Sequence, residues 1–140
     1  MYKKILLPTD GSEYAEREIE RATKLLAEDG EVVVLSVATE LRKTAFQRSK
    51  DIDKANKESL QEAKEYVKAM KEGFDDSVNV KTKVVVGFPA ESINSVAEEE
   101  GCDLIIIASS GKSGLHRFVI GSVAEKVLKD SDIDVLLIHN

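Results

Sequence analysis

The chain has 140 residues, near the usual size of one domain and long enough to bury a substantial core without a partner chain. Lys and Arg number 20 against 26 Asp and Glu, a net charge of −6, and no basic cluster stands apart from the acidic residues. That balance argues against duplex nucleic acid or an anionic membrane as a partner.

The first predicted strand is Lys4–Leu7. Lys3-Lys4 precedes only Ile5-Leu6-Leu7 before Pro8, too short an apolar stretch for a signal peptide. Every other apolar run is also of strand length, well below the roughly 20 residues of a membrane helix, so the protein is expected in the cytoplasm. Ala15, Ile19, Ala22 and Leu26 follow at helical spacing, and Val32–Val37 reads as the second strand. From Glu40 to Lys57 no clean period appears. Arg42, Lys43, Gln47, Arg48, Lys50, Asp51 and Asp53 surround few apolar side chains, so this stretch reads as a mobile connection entering the second helix, either a solvated loop or frayed helix or a flap near a ligand.

Leu60, Ala63, Val67, Met70 and Phe74 define a second helix, Val80–Val86 a third strand, and Ile93, Val96 and Ala97 a third helix. Leu104–Ala108 is the fourth strand, Val123, Val127 and Leu128 mark the fourth helix, and Val135–Ile138 is the last strand. Cys102 lies just before an apolar strand and reads as a partly buried thiol without a catalytic role. The strands are near-continuously apolar, which suits a parallel sheet covered by helices. Strict alternation then predicts one α/β domain over residues 1–140: a doubly wound, Rossmann-like, five-stranded parallel sheet in the order 3-2-1-4-5 with helices on both faces.

Ligands of such sheets bind beyond the carboxyl ends of the strands where the order reverses, here between the first and fourth strands. The segments to watch are Pro8-Thr9-Asp10-Gly11-Ser12 and Ser109-Ser110-Gly111-Lys112-Ser113-Gly114, followed by Gly121-Ser122 at the start of the fourth helix. Ser122-Val123-Ala124-Glu125 has the form of a capping box. The first N–H groups of that helix, its dipole and the Ser122 hydroxyl make an anion site, and Gly111 and Gly114 let the preceding loop approach the same anion. An ordinary helix start and turn glycines explain the same residues without a ligand. A P-loop fails because its first glycine would fall on Ile106, and a dinucleotide fingerprint fails because the first turn reads Thr9-Asp10-Gly11-Ser12.

Along its whole length the chain resembles the universal stress protein family. Ile5-Leu6-Leu7-Pro8-Thr9-Asp10-Gly11-Ser12 is similar to that family's first strand and turn, and Gly87-Phe88-Pro89-Ala90-Glu91 to its third strand–helix junction. The family's ATP signature, G-x2-G-x9-G-[ST], aligns its second glycine with Gly111 and its end with Gly121-Ser122, while its first glycine falls on Ala108. The resemblance implies that Asp10 and the backbone near Pro8 and Thr9 lie against adenine and that main-chain groups of Val37 read the base edge. It implies further that Ala108, Gly111 and Lys112, with the adjoining Ser113 and Gly114, line ribose and phosphates, and that Gly121, Ser122 and Val123 bind the phosphate tail. For Asp10 a turn or cap aspartate, and for Val37 a core strand residue, are the alternative readings.

Lys112, His116 and Arg117 are candidates to reach a polyphosphate, Lys112 foremost, though a solvated basic edge also accounts for them. His139 reads as a terminal surface residue. Two histidines and one cysteine, widely separated, furnish no zinc-type site, so any metal is expected as Mg²⁺ or Mn²⁺ on the nucleotide phosphates.

No Ser-His-Asp order or paired-carboxylate spacing suggests dedicated hydrolytic machinery. The expectation is an ATP-binding regulatory switch with at most slow hydrolysis. The alternative is a dimeric interaction module of the same fold that binds no nucleotide, and Ala108 supports it. An ATP-pyrophosphatase would need a Ser-Gly-Gly-x-Asp-Ser loop after the first strand, which is absent. The apolar last strand, at a sheet edge, predicts a homodimer, as the resemblance also implies.

Overall fold

Runs of Val, Ile and Leu bounded by Gly, Asp and Ser favour strands, and the amphipathic stretches between them favour helices that cover the sheet. The computed structural model describes residues 1–41, 49–109 and 120–139. Its elements are β1 (Tyr2–Pro8), α1 (Ala15–Leu25), β2 (Leu26–Ala38), α2 (Ser49–Glu72), β3 (Asn79–Val86), α3 (Pro89–Glu100), β4 (Leu104–Ala108), α4 (Ser122–Asp130) and β5 (Asp134–Ile138). The five strands form one sheet in the order β3-β2-β1-β4-β5, every pairing parallel, as the alternation predicts.

Successive strand residues face opposite sides of a sheet. Leu6, Val33, Leu35, Ile105 and Ile107 pack with Ile93, Val96 and Ala97 of α3 and with Ala124 and Val127 of α4. Their neighbours Ile5, Leu7, Val32, Val34 and Ile106 pack on the other face with Ala22 of α1 and Val67 and Met70 of α2. This double cover makes the central strands apolar at consecutive positions. The edge strands are only partly covered, and Val86 at the end of β3 is 51% exposed.

Two sequence expectations change. Leu26 does not complete the stripe of α1: it takes extended angles, φ −76° and ψ 135°, and begins β2. Residues 49–57 are not a loose connection but the first turns of α2. Ile52 anchors them, 3% exposed, although it is nearly alone among polar residues. Asn56 Oδ1 accepts a hydrogen bond from the Leu41 N–H at 2.8 Å, and Ser59 Oγ accepts from that of Thr39 at 3.1 Å, tying the end of β2 to the same helix. The rest of the expected connection, including Arg42, Lys43, Gln47 and Arg48, lies outside the described residues.

Candidate functional site

Backbone hydrogen bonds carry the chain past the strand ends at the point where the sheet order reverses. Thr9 N donates to Leu35 O at 2.8 Å and Ser109 N to Ile138 O at 2.8 Å, and Gly121 N donates to Ser109 O at 2.6 Å, which sets the start of α4 against the end of β4. Between β1 and β4 opens a cavity of about 380 Å³. Its position is the one that topology assigns to ligands of doubly wound sheets.

The turn after β1 forms one wall. Asp10 Oδ1 accepts from the Ser12 N–H at 3.0 Å and Thr9 Oγ1 from the Gly11 N–H at 3.2 Å, while Gly11 holds φ at +78°. A side chain at Gly11 would both strain that backbone and run into the Tyr66 ring of α2. Asp10 therefore shapes the turn and also lines the cavity. The turn reading of this residue holds, and the turn leaves it at the cavity wall.

The start of α4 forms the opposite wall. Gly121, with φ −66° and ψ 156°, is the N-cap, and no side chain caps it. The expected capping box is not formed. Ser122 is the first helical residue, one place too late to cap, the Glu125 N–H donates to Gly121 O at 2.9 Å, and the Glu125 carboxylate pairs with Lys129 at 3.5 Å. With no side-chain cap, the positive end of the α4 dipole is turned toward the cavity that Gly121, Ser122 and Val123 line.

The floor holds two polar groups that the sequence reading did not single out. Glu18 of α1 is 3% exposed, and its Oε2 has no hydrogen-bond partner among the described residues. Burial pushes its carboxyl up to about 8, and the charge of Asp10 adds to the rise. Ser109 is 1% exposed, and its Oγ is likewise without a partner among the described residues. The signal for Glu18 was its place midway between Tyr14 and Ala22, four residues from each, in a row whose members are all buried. An acidic residue in such a row belongs to a site or to an ion pair. Glu18 and Asp10 thus bring two carboxyl groups to one cavity from eight residues apart in sequence.

Eight of the twelve sequence-derived site residues line this cavity: Pro8, Thr9 and Asp10 from the β1 turn, Val37 from β2, Ala108 from β4, and Gly121, Ser122 and Val123 at α4. Gly111, Lys112, Ser113 and Gly114 lie outside the described residues, as do His116 and Arg117. Ala108 is paired with Ile138 within the sheet and its φ is not positive, so its methyl group causes no backbone strain. Leu35, Ile93 and Ile107 complete an apolar flank.

Cys102 is buried, and burial pushes its thiol up to about 11, which leaves it protonated and unreactive at neutral pH. His139 is exposed, and its carbonyl accepts from Arg17 Nη1 at 2.6 Å. Among the described residues no group of three His, Cys, Asp or Glu could hold a metal ion, and no helix is long and apolar enough to cross a membrane.

The Universal stress protein family profile matches residues 1–139. The chain is 37% identical to universal stress protein MJ0531 of Methanocaldococcus jannaschii over 142 residues, covering 99% of this chain and 82% of that one. The solved structure of MJ0577, from the same organism, superposes with a TM-score of 0.78 at 38% identity, covering 99% of this chain and 96% of the other. A universal stress protein from Archaeoglobus fulgidus, solved in complex with dAMP, superposes with a TM-score of 0.58 at 25% identity over 98% of both chains. The chain belongs to the universal stress protein family.

Proposed function

We propose that this universal stress protein is a single-domain, cytoplasmic, adenine-nucleotide-binding regulator that takes ATP into the cleft between β1 and β4. One observation carries the reading. At the sheet's reversal point the side-chain-free N-cap of α4 and the Asp10 turn face each other across one partly apolar cavity. That volume lies within the few hundred Å³ typical of small-ligand sites, and the dAMP complex of the Archaeoglobus relative supports the ligand class.

In this reading adenine lies between the Asp10 turn, with the backbone of Pro8 and Thr9, and Val37, whose main chain reads the base edge. Ala108, with Gly111, Lys112, Ser113 and Gly114, lines the ribose and phosphates. Gly121, Ser122 and Val123 receive the phosphate tail at the helix start, on the N–H groups of Ser122 and Val123, since that of Gly121 is held by Ser109 O. Mg²⁺ or Mn²⁺ would arrive on the phosphates. With no nucleophile–base pair assigned, hydrolysis is slow, and the nucleotide state is passed to a partner protein.

Equilibrium binding of ATP to nucleotide-stripped protein tests the reading, with a measurable affinity at or below about 1 mM expected from typical nucleotide-site affinities. Absence of binding at that concentration would favour the second reading, a dimeric interaction module that binds no nucleotide. Ala108 is the residue that favours it, because a methyl group projects where the signature has glycine.

A further inference from the structure

Glu18 is the one acidic side chain of α1 turned into the core, and the cavity that it floors is the one read above as the nucleotide cleft. Its carboxyl is 3% exposed and leaves Oε2 without a partner among the described residues. A buried polar atom in that condition costs free energy unless a ligand or a proton satisfies it. α1 packs on β1, β2 and β4. From β1 and its turn, Asp10 faces Glu18 with a like charge. β2 presents Leu35 and Val37 to the cavity, β4 presents Ala108 and Ser109, and α4 presents Gly121 and Ser122, all uncharged. No cation among the described residues offsets the Glu18 carboxyl.

We propose that Glu18 is a proton-dependent selector of this cleft: its neutral carboxyl admits an anionic adenine nucleotide, and its ionised carboxylate rejects one. The inference rests on the nucleotide reading of the cleft and adds a control by pH. A carboxylate on the floor would place a second negative charge beside that of Asp10 and next to the incoming phosphates, in a site of low dielectric. Reciprocally, a bound polyanion holds the proton on Glu18, so nucleotide binding takes up a proton wherever the free protein has lost it. The neutral form also has an O–H to donate to the ligand.

The test is the affinity for ATP between pH 7.5 and 9.5, where the phosphates no longer titrate, for the wild type and for Glu18→Gln. The wild type is expected to lose affinity on the order of ten-fold across the window. Glu18→Gln, an uncharged isostere, should give a flat profile. Calorimetry in two buffers of different ionisation enthalpy should show proton uptake approaching about one per nucleotide near the top of the window in the wild type only. Absence of that uptake in the wild type, or the same fall in both proteins, would overturn the role of Glu18 while leaving the nucleotide reading intact. Failure of the wild type to bind ATP at any pH would overturn the nucleotide reading and this inference with it, and failure of Glu18→Gln alone would overturn the role of Glu18.

Discussion

Glu18 carries a consequence for stability that is independent of any ligand. In the unfolded chain its carboxyl has the ordinary value of 4.5, and in the folded chain burial raises it to about 8. Between those values the folded state holds a proton that the unfolded state has released, so stability falls as pH rises, by about 1.4 kcal/mol per pH unit. Below the window both states are protonated, and above it both are ionised. The accumulated penalty is on the order of 5 kcal/mol. Glu18→Gln removes the titrating group, so its melting temperature should exceed that of the wild type by a margin that widens from pH 5 to pH 8 and then levels off. Melting curves at several pH values read this directly, and a margin independent of pH would mean that Glu18 is already ionised in the folded protein. Ala108 illustrates a different limit of reading single residues. Its departure from the signature is visible in the sequence, but whether the methyl strains the backbone depends on φ, which only the structure supplies.

At the scale of elements, the strand cores were legible because each central strand is apolar on both faces, and Leu104–Ala108 is placed to the residue. The first turns of α2 were not, since Ile52 is nearly alone among polar residues there and the hydrogen bonds of Asn56 and Ser59 reach Leu41 and Thr39, distant in sequence. The start of α4 was legible as a position but not as chemistry. Ser122 and Glu125 have the spacing of a capping box, yet the backbone turns one residue earlier, at Gly121. The shift sharpens a prediction. Gly121 has extended angles that any residue adopts, and aspartate is among the favoured N-cap residues, which stabilise a helix by about 1 kcal/mol over poor caps. Gly121→Asp should therefore keep the fold while its carboxylate occupies the first N–H groups of α4 and repels phosphate. Circular dichroism should show native helix content, and ATP binding should be lost. Unchanged ATP affinity in the folded variant would refute the phosphate site.

For the whole molecule, the sheet has an edge at β5. β4 covers one side of this strand, and Val135, Leu136 and Leu137 remain only half-buried. The Ser109 N–H donates to Ile138 O, so the backbone groups of Ile138 point toward β4, and by strand alternation those of Leu137 and Val135 point toward the open edge. A second copy of the chain pairing along that edge would satisfy these groups and cover the apolar side chains, which is the homodimer the sequence leads one to expect. Val135→Pro separates this interface from the fold. Proline removes an N–H that faces outward, leaves the ladder to β4 intact, and is tolerated on edge strands. Light scattering at micromolar concentration should give twice the chain mass for the wild type and the single chain mass for Val135→Pro, with circular dichroism unchanged between them. A monomeric wild type would remove the edge from consideration as an interface. A dimeric variant would move the interface to another face of the molecule.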